Sequence, residues 1–246
     1  MKTHLYKMEC ITDMHVGNGE TNYSIIDNEV QKDTVLQDVP IIHASGVKGA
    51  LKEHFECLWG KEDIRIKNIF GDKDDAGKYK FFTAICVARP LRVSNGSLPY
   101  VLATSDAILE HFSFFLKGMG MGLLNVYDKA NDPLIDGANI EVEGMSLSTK
   151  NCVHLEELIG KDFIVIGNLC DYDLPVRARN VLDDNGLSKN LWYEELVPHK
   201  SIFYFTIITP DDACELVFCE NIPVQFGGNA SIGNGYCTIK EVFPHE

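Results

Sequence analysis

The strongest constraint on this chain lies between residues 39 and 60. A short apolar run at 39–42 leads into a segment where Val47, Ala50, Leu51, Phe55 and Leu58 recur at helical spacing. Ser45 is a good N-cap by type, and Gly60 can close the helix. The spacing therefore predicts a helix over 46–59 with one apolar face, and it puts Lys48 and Lys52 four apart on another. A helix with one apolar face must bury it against a second layer. Strand-like runs at 5–11, 201–209, 214–218 and 237–243 supply one, together with a run at 81–93 that Pro90 should bend or place at an edge. A second amphipathic helix is expected at 105–118, capped by Ser105 and stopped by Gly118. Strands divided by two such helices predict an α+β fold of ferredoxin-like type with long inserted segments.

Gly17 and Gly19 mark a loop after the first strand, Gly137 falls in another, and GMGMG at 118–122 begins a flexible region. DDNG at 183–186 is a turn signal between extended segments and predicts a hairpin near 176–193. Turn residues and charge runs accumulate near 60–80 and 119–160, so insertions into a single domain over 1–246 are expected there.

With 246 residues and 45% hydrophobic composition, the chain can bury a real core. No apolar run approaches the ~20 residues of a membrane span, and MKTHLYKMEC lacks a signal-peptide core. A soluble, cytoplasmic protein is expected. The eight cysteines form no C-x-x-C pair and read as reduced core residues rather than a zinc site. H-E-x-x-H, Walker A and G-x-S-x-G motifs are missing as well. The net charge of −14 argues against general nucleic-acid binding, whose affinity comes from neutralised phosphates. The charge is uneven, however. Residues 76–105 carry Lys78, Lys80, Arg89 and Arg92 and no acid, while acids crowd at 72–75, 183–184 and 211–212.

Several residues are candidates for chemistry, and each also has an ordinary structural reading. In SIIDNEVQKD at 24–33, Ile25 and Ile26 run into Asp27, and Val30 follows. Asp27 is either a turn residue or a carboxylate presented on a loop whose ends the apolar side chains anchor in the core. His15 sits beside Gly17 in a loop. The helix start at Ser45 is an anion-binding end to which Lys48, expected in the first turn, adds a charge. The stretch GGNASIGNG, with Gly227, Gly228, Asn229, Gly233 and Gly235, lets backbone approach a phosphate or makes tight turns. It lacks the strand–G-x-G-x-x-G–helix context of a dinucleotide site. Arg177 and Arg179 flank Ala178 just before the 183–186 turn.

Taken in order, TDMHVGNGE, IIDNEVQKD, PIIHASGVKGALKEHF and IFGD resemble the N-terminal signature of the RAMP superfamily of CRISPR proteins. ARPLRVSNGSLPYVLAT is similar to a further segment of that group. RARNVLDDNGLSKNLWYEELVPHKSIFYF and VQFGGNASIGNGY resemble the backbone subunits of type III-B Cmr effector complexes. The resemblance spans nearly the whole chain. It implies an RRM-like palm with a protruding thumb hairpin, polymerisation along a guide crRNA with other Cmr-complex subunits, and cleavage of complementary target RNA at regular intervals. It also implies a divalent metal, Mg²⁺ or Mn²⁺. Asp27 would then be the catalytic acid, holding the metal or helping to deprotonate a 2′-OH, and His15 a general acid or guide contact. Ser45, Lys48, Lys52, Arg92, Arg177, Arg179 and the Gly227, Gly228, Asn229, Gly233 and Gly235 loop would hold RNA. A non-catalytic guide-binding scaffold and a crRNA-processing endoribonuclease are the competing implications. The chain departs from the family at A-S-G-V-K-G, typically G-S-S-x-K-G, at Lys52, often Arg, and at Ala230, where relatives often carry Glu. Ala230 supplies no carboxylate, so any role of that acid is lost here.

Overall fold

The structure, a computed structural model, describes residues 1–20, 25–96, 98–121, 134–161, 163–219 and 221–242. Ser24, the region from Gly122 to residue 133 and Phe243 therefore lie outside the described residues.

Strand β1 (Lys2–Cys10) buries Tyr6, Met8 and Cys10 on alternate positions and leaves Lys7 and Glu9 half-exposed. β2 (Lys32–Asp33) and β3 (Val39–Ile42) lead into α1 (Ala44–Trp59). Val47, Leu51 and Phe55 form its buried stripe, and Gly60 closes it with its N–H on the Glu56 carbonyl. Three details differ from the pattern reading. The helix starts earlier, with His43 at the N-cap and no side-chain cap bond, so Ser45 lies in the first turn and Lys48 in the second. Leu58 is 41% exposed, although it lies two turns after Leu51 on the same face.

Next come α2 (Ile64–Phe70), β4 (Lys80–Phe81), β5 (Ala84–Asn95), β6 (Tyr100–Ser105) and α3 (Asp106–Gly118). The Ser105 hydroxyl caps α3 by accepting from the Ile108 N–H at 3.3 Å. β7 (Ile135–Val142) and β8 (Met145–Asn151) form a hairpin, followed by α4 (Val153–Leu158) and β9 (Ile164–Ile166). Gly137 lies inside β7 rather than in a loop, where the register shifts between Asp136 and Asn139 and a Cβ would lie 2.3 Å from the Thr149 hydroxyl. β10 (Val176–Leu182), β11 (Ser188–Glu195), β12 (Ile202–Thr209), β13 (Val224–Gln225) and β14 (Tyr236–Val242) complete the chain.

The result is a mixed α+β fold around one branched sheet whose path runs β13-β14-β1-β12-β5-β3-β2. Its pairings are antiparallel except β6 with β9. Within it, β14-β1-β12-β5 has the strand order of a ferredoxin-like unit, with α1 in the connection from β1 to β5. The helix at 105–118 is not its second crossover. It belongs to the long connection between β5 and β12, and the described residues of 210–223 form no helix. The strand predicted at 214–218 does not form either. That segment is fixed by side chains instead: the Tyr79 hydroxyl donates to the Cys214 carbonyl at 2.6 Å, and Phe218 packs on Tyr6 and Phe55.

β12 is buried on both faces. Phe205 stacks on Tyr6 towards Phe218 and α1, while Tyr204 meets Phe112 of α3 and donates to the Leu158 carbonyl at the end of α4. β5 changes partners along its length, pairing with β3 and β12 up to Ala88 and with β6 from Arg89 to Arg92. Pro90 sits just past the last β12 pair, and Phe81 belongs to the separate β4. The cysteines are all free, but only Cys10, Cys86, Cys152 and Cys237 are buried. Cys57, Cys214 and Cys219 are exposed, because they lie on helix and loop surfaces rather than in the core.

Candidate active site and nucleic-acid interface

β10 and β11 form a second, two-stranded sheet apart from the main one. Their turn is built by Asp183, whose carboxylate accepts from the Asn185 and Leu187 N–H groups at 2.9 Å. The outer part of this hairpin exposes Val181, Leu182, Leu187 and Leu191. At its foot, three sequence-remote segments converge: the 13–17 loop, the 27–32 segment and the glycine-rich 226–235 loop.

The 27–32 segment runs along β11, with Asn28 bridging to Glu194 in parallel. The Asp27 Oδ2 accepts from the Tyr193 N–H at 2.8 Å, and the Asn28 N–H donates to the Tyr193 carbonyl at 3.1 Å. Oδ1 has no hydrogen-bond partner among the described residues. Ile25 does not anchor this segment in the core: it is 87% exposed, and the foot of the hairpin does the anchoring, helped by buried Val30. Gln31 then ties the segment outward. Its side chain donates to the Gly17 carbonyl at 3.1 Å and accepts from the His43 N–H at 2.8 Å, which places the start of α1 beside the 13–17 loop.

His15 is buried, and its Nδ1 lies 2.8 Å from the Glu195 carbonyl. A carbonyl only accepts, so Nδ1 carries the proton and Nε2 of the neutral ring keeps its lone pair. A Cβ at Gly17 would lie 3.2 Å from that Nε2, so a side chain there would crowd the nitrogen. Gly227 crosses the His15 backbone closely, with φ +77° and no room for a Cβ, which would fall 2.1 Å from the His15 carbonyl oxygen. Gly235 is similarly forced, whereas Gly228 and Gly233 border open space. Asn229, at φ 64°, donates through Nδ2 to Glu194 at 3.0 Å.

Glu194 and Glu195 organise the foot, and the sequence reading missed both. Adjacent strand residues point to opposite sides. Glu194 receives the Arg179 Nε–H at 3.0 Å, the Trp192 indole N–H at 2.9 Å and Asn229. Glu195 receives the Val30 N–H at 3.1 Å and the Lys32 ammonium at 2.8 Å. Burial would push the Glu194 carboxyl up, but hydrogen bonds from Trp192 and Arg179 and the charge of Arg179 outweigh it and hold the group below its ordinary value. Asp13 balances in the same way: desolvation opposes ionisation, and the His199 and Arg177 contacts overcome it. Arg177 reaches Asp13 at 2.6 Å. The two arginines of the hairpin are thus ion-paired at its foot.

The other candidates divide. Ser45 and Lys48 lie in the first two turns of α1, which follow His43 and its bond to Gln31. Lys52 points along α1 to Glu56 at 3.8 Å, away from this cluster. Arg92 is exposed in the far half of β5 and borders a separate groove of about 370 Å³ with His199 and Lys200. Arg89 is buried, its guanidinium held by the carbonyls of Leu169, Tyr172 and Asp173, so it adds nothing to a basic surface. The described residues contain no group of three or more His, Cys, Asp or Glu able to hold a metal ion. A lone carboxylate such as Asp27 fits only a Mg²⁺-type site completed by phosphate and water.

The RAMP superfamily model matches residues 7–238. The chain belongs to the RAMP superfamily. It is 23% identical to the CRISPR system Cmr endoribonuclease Cmr4 of Pyrococcus furiosus, over 98% of this chain and 97% of that protein. In structure it is similar to a chain of the type III-B Cmr-beta complex bound to cognate target RNA, with a TM-score of 0.81 and 19% identity, covering 98% of this chain and 97% of that one. It is also similar to the oligomeric Cmr4 of Pyrococcus furiosus, with a TM-score of 0.68 and 18% identity over 99% of each chain. The fold is therefore that of the Cmr4 RAMP structures. No helix among the described residues is long and apolar enough to cross a membrane.

Proposed function

We propose that this chain is the backbone subunit of a type III-B CRISPR effector, assembling copies of itself and other subunits along a guide crRNA and cleaving the paired target RNA. In this reading the main sheet is the ferredoxin-like palm and the β10–β11 hairpin the thumb. The observation that carries it is the placement of Asp27: one carboxylate oxygen is pinned to β11 at the foot of the hairpin, the other has no partner among the described residues, and the same strand holds His15 two residues further on, at the Glu195 carbonyl.

The reaction suited to this pair is attack of a 2′-OH on the adjacent phosphorus. The new O–P bond closes a 2′,3′-cyclic phosphate, and the bond to the 5′ oxygen breaks. His15 Nε2 takes the 2′-OH proton, and water protonates the leaving oxygen. Asp27 would hold Mg²⁺ or Mn²⁺, which when bound supplies charge opposite the reacting phosphate. Ser45, Lys48 and the open backbone at Gly228 and Gly233 hold RNA by phosphate and shape, since pairing with the guide reads sequence. The non-catalytic scaffold is the second reading, favoured by Ala230 and by the engagement of Asp13, Glu194 and Glu195 in ion pairs, which leaves Asp27 as the one carboxylate named at the site without one among the described residues.

Asp27→Asn separates them. Asparagine still accepts from the Tyr193 N–H, so the loop keeps its place and only the charge is lost. Target cleavage by the assembled complex should fall ~100-fold or more, with guide and target binding kept. Chelation by EDTA should reproduce the loss. Undiminished cutting by the Asn variant would leave Asp27 a turn residue.

A further inference from the structure

Glu195 is buried, with 5% of its surface exposed, and every polar group it has is turned towards the candidate site. Its side chain holds the Val30 N–H and the Lys32 ammonium at 3.1 and 2.8 Å. Its backbone N–H donates to the Asn28 carbonyl at 2.9 Å, and its carbonyl holds His15 Nδ1 at 2.8 Å. One residue thus grips the segment bearing Asp27 at positions 28, 30 and 32 and also fixes the proton on His15. We propose that Glu195 is a positioning residue, setting the Asp27 loop relative to His15 without itself touching substrate. The inference rests on the catalytic reading above.

The physical case is one of competition. Residues 25–31 include exposed Ile25 and Asp27, so little apolar burial holds the front of the segment in place. Its position comes from hydrogen bonds to β11, and those made by Glu195 lie in a buried setting where an unpaired Val30 N–H or Lys32 ammonium is costly. Behind the pair is a cavity of about 140 Å³ lined by Lys32, Arg89 and Glu195. Arg89 is already engaged by carbonyls, so it does not draw the Glu195 carboxylate away.

The test compares three variants by hydrogen exchange of the free chain and by single-turnover cleavage in the guide-loaded complex. Glu195→Ala should raise exchange across 25–31 by about tenfold or more while leaving 202–209 unchanged. The cleavage rate at saturating target should fall about 10–100-fold, with target affinity within about twofold. Glu195→Gln keeps an oxygen for the Val30 N–H and should recover most of both losses. The double variant Lys32→Met/Glu195→Met fills the same space without charge, which folded proteins commonly tolerate, and should behave like Glu195→Ala even if that variant folds poorly. Unchanged exchange across 25–31 in the Ala or Met variants overturns the proposal. So does a rate loss that tracks weaker target binding, or a Gln variant as impaired as Ala. If the wild-type complex does not cleave at all, the catalytic reading fails, and the exchange comparison still decides whether Glu195 positions the loop.

Discussion

At the scale of single residues, the two pairs of glycines in the 227–235 loop make a sharp contrast. Gly227 and Gly235 have left-handed φ and backbone oxygen where a Cβ would go, while Gly228 and Gly233 face open space. Gly227→Ala should therefore cost at least ~1–3 kcal/mol and disturb His15, whose carbonyl it would strike. Gly228→Ala, with no left-handed φ, should melt within about 0.5 kcal/mol of wild type. Thermal denaturation of the two variants side by side is the check, and a Gly227→Ala protein as stable as Gly228→Ala would refute the close-packing account. The same scale shows why parts of the site were hidden in the sequence. Asp27 and His15 stand out beside apolar and glycine residues. Glu194 and Glu195 look like any two acids after an aromatic pair, and only partners 15 to 180 positions away in the chain give them meaning. Arg89 misleads in the reverse sense, because carbonyls from a distant turn draw it inside.

At the scale of elements, local signals were read well and long-range pairing was not. The Val47–Leu51–Phe55 stripe and the Ser105 cap depend on neighbours within one or two turns. The run at 214–218 has strand-like composition but no ladder partner, and the described residues of the β5–β12 connection scatter six strands and two α-helices between neighbours in the sheet, an order that local pattern does not encode. The hairpin gives a prediction of its own. Its foot is tied by Arg177 to Asp13 and by Arg179 to Glu194, and both acids have lowered pKa values. A carboxyl depressed on folding contributes stability above its unfolded value and loses it as pH falls through the folded one. The ties should hold above pH about 4.5 and loosen in more acidic solution. Glu194→Gln should flatten the acid limb of the melting curve and loosen 176–195 at neutral pH. Hydrogen exchange by peptide is the measurement, and an unchanged acid limb would remove Glu194 from the account.

At the scale of the whole molecule, a net charge of −14 must coexist with the proposed grip on RNA. Three cations at the site are internally neutralised, Lys32 by Glu195, Arg177 by Asp13 and Arg179 by Glu194, and Lys52 further along α1 is paired with Glu56. Lys48 and Arg92 have no ion pair among the described residues. Lys48→Ala should therefore weaken guide loading by ~1–2 kcal/mol per site and reduce the salt slope by about 1, whereas Lys52→Ala should do much less. A salt titration of guide binding in which the two variants behave alike would contradict this. The paired glutamates of β11 also bear on how the molecule folds. Because they point to opposite sides, a slip of one residue in that strand would put one glutamate in the other's place and leave either Arg179 facing Tyr193 or the Lys32 ammonium facing Leu196. A hairpin assembled out of step would thus fail to dock at its foot. The chain would verify its own strand alignment before it had a site able to meet RNA.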